Sequence, residues 1–458
     1  MRLLALPLVL TLTLGATPAD WPLFDHDSAR SGSASDGKLS AATVAGLRTR
    51  WRTKLDAVSD SAPIVVEDRL FLTDRDGTTY ALESGSGRIV WRFATHGPKI
   101  TTSVPAYDES THALYAPGVD GDIHKLDPAT GRELHDAGFP HAITYTSQTE
   151  KNASPLNVAN GYLYAQTSGY IGDAPPYVGY VVAIRLRDGD THVFNVLCSA
   201  RHDLIEPKSC DAQRAGMWSR AGVVADPDPE MHGRIYVATG NGPFDAKAGN
   251  YGDSILSLSD DARRMLGSLT PSDYDDLESS DRDVGSSSPA LLPRQPASRT
   301  PLLAVQGGKD GNLKLFDRAK LAGLGAPLQS IPLGEELFSA PAVWTGADGA
   351  TLVIVGLGDG VRSYRLTTKD GKPELAAAWS ASFDSGREGT SPIVYDGIVF
   401  VATSGDLIAL DARDGKRLWH GDALGPIHWQ SPSAAGGAVY CSDENGVLTA
   451  FALASSAR

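Results

Sequence analysis

The sequence is poor in cysteine. Its 458 residues include three, Cys198, Cys210 and Cys441. No Cys-x-x-Cys-His segment occurs, so covalent haem is not indicated and no haem is expected. Cys198 and Cys210 lie in one connecting stretch and form a candidate disulfide, which an oxidising compartment would permit. Cys441 falls in a predicted strand and is expected to be a buried free thiol.

Positive charge is scarce as well. The chain has 41 Lys and Arg against 55 Asp and Glu, for a net charge of −14. Nucleic acids are bound mainly through Lys and Arg contacts to phosphates. The acidic balance therefore argues against a nucleic-acid partner.

Long apolar runs are missing after the first residues. Met1 and Arg2 precede an apolar stretch, 3–14, and then small residues up to Ala19. This order is typical of a secretory signal, with cleavage predicted after Ala16 or Ala19. A stretch of about twelve residues is too short for a membrane helix. We expect a signal peptide over 1–19, one domain over 20–458, and a periplasmic or secreted protein with no lipid anchor or transmembrane segment.

What the sequence does contain is a repeat. A small residue followed by proline begins an apolar run every 40–52 residues, apart from one gap of 134 residues. In that gap Gly222 stands where proline would be, after Ala221. The pairs are Ala62-Pro63, Val104-Pro105, Ser154-Pro155, Ser288-Pro289, Ala340-Pro341, Ser391-Pro392 and Ser431-Pro432. Eight units of this length indicate a repeat architecture.

Each unit contains four short apolar runs separated by Asp-Gly or Gly-Ser turns, a pattern that predicts antiparallel strands. The fourth run carries tryptophan four residues after a turn glycine, as in Gly87 and Trp91. In the second unit His135 takes that place and is predicted to pack in the outer strand. Four strands per unit describe a propeller blade. The predicted fold is all-β, an eight-bladed β-propeller of four-stranded antiparallel blades.

The last unit, from Ser431, has three predicted strands instead of four. An unassigned strand, 47–55, precedes the first unit and has Trp51 in the outer-strand place. We predict that this N-terminal strand completes the last blade and closes the ring, which removes the free sheet edges.

The residues just before each inner strand should gather at one mouth of the central channel, where a ligand would bind. They are Asp60, Lys99, Thr101, Lys151, Asn152, Trp218, Arg220, Asp281, Asp283, Glu335, Arg387, Glu388, His428 and Trp429. The alternative is a solvated rim of mixed charge. Two tryptophans beside two arginines and several carboxylates favour a ligand site.

The fourth unit has an unusual turn at Thr239-Gly240-Asn241-Gly242. Its residues tolerate positive φ, and the turn leaves the Asn241 side chain available. A hard cation such as Ca²⁺ accepts an amide oxygen together with nearby carboxylates. The alternative is that Asn241 only caps the turn.

With these units and their Asp-Ala/Pro-x-x-Gly endings, the chain resembles the quinoprotein propellers that carry pyrroloquinoline quinone (PQQ)-type repeats. The resemblance covers nearly all of the mature chain. Thr239-Gly240-Asn241 is similar to the segment of PQQ-dependent alcohol dehydrogenases whose asparagine binds Ca²⁺. Asp281 stands where those enzymes have the catalytic base, and Lys309 where they have a cation that contacts the quinone. The resemblance therefore implies PQQ and Ca²⁺ as cofactors, with Asn241 and Asp281 as metal ligands.

The chain also departs from that family. Ile171 stands in the place of a Ca²⁺-binding glutamate, with Asp173 two residues on as a substitute. The disulfide between adjacent cysteines that covers the cofactor is absent. The tryptophan that stacks beneath the quinone aligns nearer Arg220 than Trp218, so both join Lys309 as candidate cofactor-binding residues.

Three functions follow from the sequence. The first is an exported PQQ- and Ca²⁺-dependent oxidoreductase acting on an alcohol or sugar. The second is a non-catalytic propeller that binds an envelope protein, similar to the scaffold subunit of the outer-membrane assembly machinery. The third is a sugar- or polymer-binding module with Trp218 and Trp429 as stacking platforms.

Overall fold

The computed structural model describes residues 20–98, 101–170, 174–386 and 388–454. Within these ranges the chain forms an eight-bladed β-propeller of mostly four-stranded antiparallel sheets, which confirms the predicted fold class. The predicted signal peptide, 1–19, lies outside the described residues and stays a prediction, as does the mature domain boundary. Among the described residues no helix combines the length and apolar character needed to cross a bilayer.

The blades follow the order of the chain, and the strands of each blade run from the inner to the outer edge of its sheet. Blade 1 has Ile64–Val66, Arg69–Thr73, Thr78–Glu83 and Ile89–Ala94, and blade 2 has Ala106–Asp108, Ala113–Pro117, Asp122–Leu126 and His141–Ala142. Blade 3 has Glu150–Asn152 with Asn157–Ala159, then Tyr162–Gly169, Tyr180–Arg185 and Thr191–Asn195. Blade 4 has Val224–Ala225, Arg234–Ala238, Ile255–Ser259 and Met265–Thr270, with Gly323–Leu324 added in parallel at its edge.

Blade 5 has Ala290–Leu291, Leu303–Gln306, Asn312–Asp317 and Gln329–Pro332, and blade 6 has Ala342–Thr345, Thr351–Leu357, Gly360–Lys369 and Lys372–Ser382. Blade 7 has Ile393–Tyr395, Ile398–Ala402, Leu407–Asp411 and Arg417–Gly421. Blade 8 has Ser433–Ala435, Ala438–Ser442, Val447–Leu453 and Leu47–Lys54. The short strand Ser33–Ala34 pairs in parallel with the inner strand of blade 7. The remaining elements are a hairpin, Phe244–Asp245 with Asn250–Tyr251, the helix Tyr274–Ser279 and 3₁₀ turns at Val44–Gly46, Pro207–Ser209, Pro229–Met231 and Val284–Ser286.

Ring closure occurs as predicted. The N-terminal strand Leu47–Lys54 pairs antiparallel with Val447–Leu453 as the outer strand of blade 8, and Trp51 lies opposite Ala450. Because the two ends of the chain share one sheet, separating the first blade from the last would break a complete strand ladder.

The residue before each repeat proline also links neighbouring blades. The Ser154 hydroxyl donates to the Met217 carbonyl of the next unit at 2.9 Å. The Ser391 hydroxyl accepts from Ala340 N at 2.9 Å, and the Ser431 hydroxyl accepts from Ser391 N at 3.3 Å. Proline has no N–H to donate at a strand start. The repeated small residue is therefore both compact and, where it is serine, a hydrogen-bonding link around the channel.

The glycine and tryptophan of the repeat meet between successive blades rather than within one. Trp91 of blade 1 lies on the Gly131 turn of blade 2, and its indole N–H donates to the Pro128 carbonyl at 3.0 Å. Trp51 makes the same contact with the Gly87 turn. A Cβ at Gly131 would lie 2.6 Å from the Trp91 ring, and its φ is +71°. Glycine is needed at this turn for both the close approach and the backbone conformation.

We expect Gly131→Ala to lower the free energy of unfolding by about 1–3 kcal/mol more than Gly161→Ala. Both glycines have positive φ, but a Cβ at Gly161 meets nothing within 4 Å. The difference therefore isolates the collision with Trp91. Chemical denaturation of both variants measures it, and equal losses would show that the tryptophan contact does not limit the turn.

The outer strand of blade 2 differs from the prediction. His135 is not packed in that strand, because its side chain is 68% exposed. The strand lies at His141–Ala142 instead. Phe139 is buried against Tyr115, with ring centroids 5.1 Å apart, and this contact moves the pairing segment further along the chain.

A buried histidine in blade 2 joins two carboxylates. His124 Nδ1 lies 2.6 Å from Glu133 Oε1, and Nε2 lies 3.1 Å from Asp120 Oδ2. The ring also packs against Phe93, with centroids 5.1 Å apart. Burial alone would lower the pKa of His124. The hydrogen bonds to Asp120 and Glu133 have the larger combined effect, so the net pKa is raised.

Since the folded state raises this pKa, the protonated ring stabilises the fold. The contribution is complete below the unfolded pKa of about 6.5 and is lost as pH rises through the folded value. We expect the stability difference between the native protein and His124→Gln to shrink as the pH rises above about 6.5. Denaturation at several pH values measures this difference, and a constant difference would contradict the expectation.

A segment before the first blade, residues 20–39, crosses the channel, and we call it the crossing segment. Its backbone or side chains bond to blades 1 to 4 and 6 to 8, for example Trp21 N to the Val65 carbonyl at 2.7 Å and Val394 N to the Gly32 carbonyl at 2.7 Å. Phe24 and Arg30 of this segment are buried. The crossing segment therefore fills one end of the channel, beside the inner strands.

The predicted disulfide between Cys198 and Cys210 is present. It closes a connecting loop between blades 3 and 4. Cys441 is buried, and burial raises the pKa of its thiol, so the expectation of a free buried thiol is confirmed.

Candidate functional site

A cavity of about 370 Å³ opens at the mouth where the inner strands begin, away from the crossing segment. It combines cationic, acidic and aromatic side chains. These are Lys151, Arg220 and Lys309; Asp281, Glu336 and Glu388; and Tyr170, Trp218, Phe338 and Trp429. The predicted ligand site at this mouth thus corresponds to a real concavity.

The other predicted mouth residues are distributed around it. Asp60 is buried and paired with Arg75 at 2.7 Å, and Glu335 lines a neighbouring groove. Asn152 is buried in the inner wall of blade 3. Lys99 and Arg387 lie outside the described residues.

The three residues predicted from the family resemblance are in contact, because two of them bind the carboxylate of the third, Asp281. The Asn241 Nδ2 group donates to Asp281 Oδ1 at 2.7 Å, and Lys309 Nζ donates to the same oxygen at 3.1 Å. Asp281 lines the cavity with a side chain that is 70% exposed. Its backbone φ is +54°, a sparsely populated conformation for a residue with a Cβ, as is common at functional sites.

Asp283 supports this group from behind. Its Oδ1 accepts from Asn241 N at 2.6 Å, and its Oδ2 lies 2.5 Å from Lys309 Nζ. Burial lowers the pKa of Lys309, but the charges of Asp283 and Asp281 outweigh it, so the pKa is raised. Lys309 is therefore a cation at neutral pH, held between two carboxylates.

A further buried carboxyl, that of Asp253, lies near Asp283. Asp253 is 1% exposed, and its Oδ1 accepts from Val284 N at 3.2 Å. Burial, reinforced by the nearby charge of Asp283, raises the pKa of Asp253 to about 8. This carboxyl is therefore mostly neutral at pH 7, which lowers the cost of burying it next to Asp283.

Glycines allow the two segments to approach each other. A Cβ at Gly240 would lie 2.4 Å from Asp283 Oδ1, and a Cβ at Gly285 would lie 2.6 Å from Gly240 N. The turn at 239–242 and the 3₁₀ turn Val284–Ser286 thus touch through their backbones. This contact places Asn241 beside Asp281 and Asp283.

An aromatic wall adjoins this group of residues. Trp218, Phe338 and Trp429 form a cluster with ring centroids 6.0–6.3 Å apart. Lys309 Nζ lies 5.1 Å from the Trp218 ring, and the Arg220 guanidinium lies 5.3 Å from the Trp429 ring. Each of the two predicted tryptophans therefore has one predicted cation over its ring, in a cation–π contact.

Arg220 is buried at the inner end of the cavity. Its guanidinium donates to the Trp429 carbonyl. Burial lowers the pKa of Arg220, while the charges of Asp60, Asp25 and Glu388 act in the opposite direction. The guanidinium thus anchors Trp429 from blade 8 to the inner wall of blade 4.

Several lining residues were missed from the sequence, among them Tyr170, Glu336 and Phe338. A signal for Phe338 was present, since it lies three residues before the repeat proline Pro341, as Trp429 does before Pro432. No role was assigned to Asp253 from the sequence.

The cavity can accommodate a planar anion. Besides three carboxylates, the lining has three cations and an aromatic wall, and a flat conjugated ring system with carboxylates would use the last two. The Asn241 Oδ1 atom is buried and has no hydrogen-bond partner among the described residues. An amide oxygen of this kind is a suitable ligand for a hard cation.

A complete metal site is not formed by the protein in the part that the structure describes. No group of three or more His, Cys, Asp or Glu residues there could hold a metal ion. Ile171 and Asp173, at the place of the family's glutamate, lie outside the described residues. A cation beside Asn241 and Asp281 would therefore need further ligands from a bound molecule or from water.

Comparison with protein families gives one match. A model named PQQ_2, described as "Outer membrane protein assembly factor BamB", matches residues 24–205 and 328–458. The matched parts contain blades 1 to 3 and 6 to 8. The intervening residues, 206–327, carry Trp218, Arg220, Asn241, Asp281 and Lys309.

The individual proteins that are similar to this chain have low sequence identity to it. A polyvinylalcohol dehydrogenase from a Pseudomonas species is 23% identical over 483 residues, covering 93% of this chain and 73% of that protein. The quinohemoprotein alcohol dehydrogenase from Comamonas testosteroni has a TM-score of 0.70 at 16% identity, covering 96% of this chain and 81% of that one. A europium-containing methanol dehydrogenase has a TM-score of 0.68 at 16% identity, covering 95% and 98%. These structures share the fold with this chain.

Proposed function

This chain belongs to the PQQ_2 family of β-propellers, and from that premise we propose that it is an exported quinoprotein oxidoreductase that uses PQQ and Ca²⁺ to oxidise an alcohol. The observation that carries the proposal is the contact of Asn241 and Lys309 with Asp281 at the wall of a cavity lined by cations, carboxylates and aromatic rings. Fold alone would not be sufficient, since one fold hosts many functions.

The position of these residues adds support. All five candidate cofactor and metal residues lie in 206–327, the part that the model described as an assembly factor does not match. The relative named polyvinylalcohol dehydrogenase covers almost the whole chain and suggests an alcohol as substrate. The predicted signal peptide supports a periplasmic or secreted location.

The residues present fit the cofactors. Lys309 and Arg220 would hold the carboxylates of PQQ, and Trp218 would pack against its ring plane. Asn241 Oδ1 and the Asp281 carboxylate would ligate the cation. When bound, the quinone supplies the two-electron acceptor that the protein's own side chains lack.

Asp281 would act as the general base. Both of its hydrogen bonds use Oδ1, so Oδ2 is the oxygen that would accept the proton of the substrate hydroxyl. The Lys309 ammonium would orient the carboxylate through its hydrogen bond to Oδ1 before the substrate arrives. The aromatic wall beside Lys309 would exclude water from part of the cavity.

The second candidate function is a scaffold that binds an envelope protein. It is favoured by the family's description and by the match of six blades to its model. In that case the cavity would take up no quinone, and cross-linking in the cell envelope would capture one specific protein.

Titration of the mature protein with PQQ tests the proposal. We expect uptake of one PQQ per chain, strengthened at least tenfold by Ca²⁺ over EDTA. In Asn241→Ala the Ca²⁺ effect should disappear, because the amide oxygen is lost. Asn445→Ala, an exposed asparagine on a blade 8 turn, should behave like the native protein. No uptake at high micromolar PQQ would reject the proposal.

A further inference from the structure

The outer strand of blade 8, Leu47–Lys54, concentrates positive charge on a protein whose net charge is −14. Between Asp36 and Asp56 the sequence contains no Asp or Glu. The strand has four basic side chains, all of them exposed, and we call them the cationic row: Arg48, Arg50, Arg52 and Lys54. None of these residues belongs to the proposed reaction site.

No carboxylate neutralises the cationic row in the part of the chain that the structure describes. Asp56, the next acidic residue along the chain, is paired with Arg92 at 3.0 Å. Arg50 and Arg52 make no hydrogen bond or ion pair through their side chains with any described residue. The two end residues of the row donate to backbone carbonyls, which does not compensate their charge. The charge of the row is therefore available to an outside partner.

Two side chains between the cations attach the strand to blade 1. The Trp51 indole N–H donates to the Ser84 carbonyl at 2.9 Å, and the Thr53 hydroxyl donates to the Gly87 carbonyl at 2.7 Å. Successive side chains of a strand point to opposite faces, so the cation that follows each of them points away from this contact. The row is thus held on a strand that is fixed on both sides, by its ladder and by blade 1.

The fold does not require cations in this place. In blade 6 the Trp379 indole N–H donates to the Ala412 carbonyl at 3.0 Å beside the Gly415 turn, as Trp51 does beside the Gly87 turn. The residues at the row's four positions, counted from Trp379, are small and exposed: Ala376, Ala378, Ser380 and Ser382. Charges on an edge strand can prevent pairing between sheets, but blade 6 exposes a longer outer strand without them. Neither packing nor edge protection therefore explains the row.

The composition of this rim favours phospholipid headgroups over a protein as the partner. Protein interfaces bury about 800 Å² per partner around an apolar core. The large hydrophobic side chains that are exposed among the described residues all lie elsewhere, in the chain from blade 2 to blade 5: Tyr145, Leu266, Leu324 and Leu328. Lipid phosphates need no apolar core, because each headgroup can move to meet a long basic side chain.

The remaining charge of the protein would orient it on such a surface. Anionic headgroups attract Lys and Arg within about one Debye length, about 10 Å at 0.1 M salt. The rest of the chain has an excess of carboxylates and is repelled by the same surface. Because the row lies on the outermost strand, the protein would bind by its rim, and the cavity at the inner strands would stay clear of the lipid.

We infer that the cationic row docks the protein on an anionic phospholipid surface by electrostatic contact, without insertion into the bilayer. The inference goes beyond the proposed reaction and uses none of its residues. It assigns a partner to the rim of blade 8, whereas the proposed function concerns the channel mouth.

Co-sedimentation of the mature protein with lipid vesicles tests the inference. Vesicles with about 40% phosphatidylglycerol in phosphatidylcholine are compared with pure phosphatidylcholine vesicles at low and high salt. At low salt we expect a partition coefficient at least tenfold higher for the anionic vesicles, and at about 1 M salt, where the Debye length is about 3 Å, the preference should be lost. The variant Arg48→Gln/Arg50→Gln/Arg52→Gln/Lys54→Gln should show no preference at either salt concentration.

The matched control removes four exposed lysines outside the row: Lys208→Gln/Lys247→Gln/Lys320→Gln/Lys369→Gln. It changes the net charge by the same amount and should bind anionic vesicles within about twofold of the native protein. The double variant Arg50→Gln/Arg52→Gln breaks no hydrogen bond among the described residues, so its fold should be preserved. It should lose about half of the row's effect, a weakening of about threefold.

Equal partition of the native protein into the two kinds of vesicle would overturn the inference. An equal loss in the row variant and the lysine control would overturn it as well, because net charge alone would then decide binding. Oligoglutamate is the third probe. Its capture by the native protein, but not by the row variant, at a salt concentration where the anionic vesicles do not bind would identify an acidic polypeptide as the partner and reject the lipid surface.

Discussion

Asp281→Asn is expected to lower kcat/KM for an alcohol by about 10²–10⁴-fold, the range that a positioned general base contributes. The amide can still accept from Asn241 and Lys309 through Oδ1, so the local geometry is kept. It cannot take up the hydroxyl proton. The measurement compares steady-state rates of variant and native protein, both fully loaded with PQQ and Ca²⁺.

Loading both proteins to saturation separates the base from the metal ligand, because a weaker cation site then no longer limits the rate. Asp275→Asn, on the short helix six residues earlier, removes the same charge from an exposed position and should keep native activity. Retention of more than about a tenth of the native rate by loaded Asp281→Asn would show that another group takes the proton.

Lys309→Met is expected to destabilise the fold by about 3–5 kcal/mol, the usual cost of removing one partner of a buried ion pair. The substitution leaves Asp283, with a side chain 4% exposed, without its counter-charge at 2.5 Å. Chemical denaturation of the variant and the native protein measures the loss.

The double variant Lys309→Met/Asp283→Asn provides the decisive comparison. Removing both charges should recover most of the lost stability, since no buried charge then remains unpaired. Lys247→Met, an exposed lysine on the hairpin of blade 4, should change stability by less than about 0.5 kcal/mol. Equal losses in the single and double variants would show that Lys309 acts by packing rather than by pairing.

The sequence predicted those features that repeat. The glycine and the tryptophan four residues later occur in several units, and the structure explains them by one contact between adjacent blades, as for Trp91 and Gly131. Ring closure was predictable because Trp51 fits the same pattern in a strand with no unit of its own. His135 was misplaced because a single unit can shift its outer strand when another aromatic residue, in this blade Phe139, packs more deeply.

The residues of the candidate site were not predicted from the repeat. Asn241, Asp281 and Lys309 were named from a resemblance, and the structure brings them together. Asp283 was assigned only to the rim, yet it contacts both Asn241 and Lys309 from below. The sequence repeat does not indicate the contact of Asp283 with Asn241 and Lys309, since this contact joins segments of different blades.

By itself the sequence determined the number of blades, their strand pattern and the closure of the ring, because strand period, turn glycines and strand-initial prolines are local properties that recur in every unit. Only the tertiary structure decided which side chains share the cavity, how Phe338 from blade 6 reaches the tryptophans of blades 4 and 8, and that the crossing segment fills the other end of the channel. The physical reason is that these contacts join residues far apart in the chain. They depend on how the closed ring orients its loops, which no local pattern specifies.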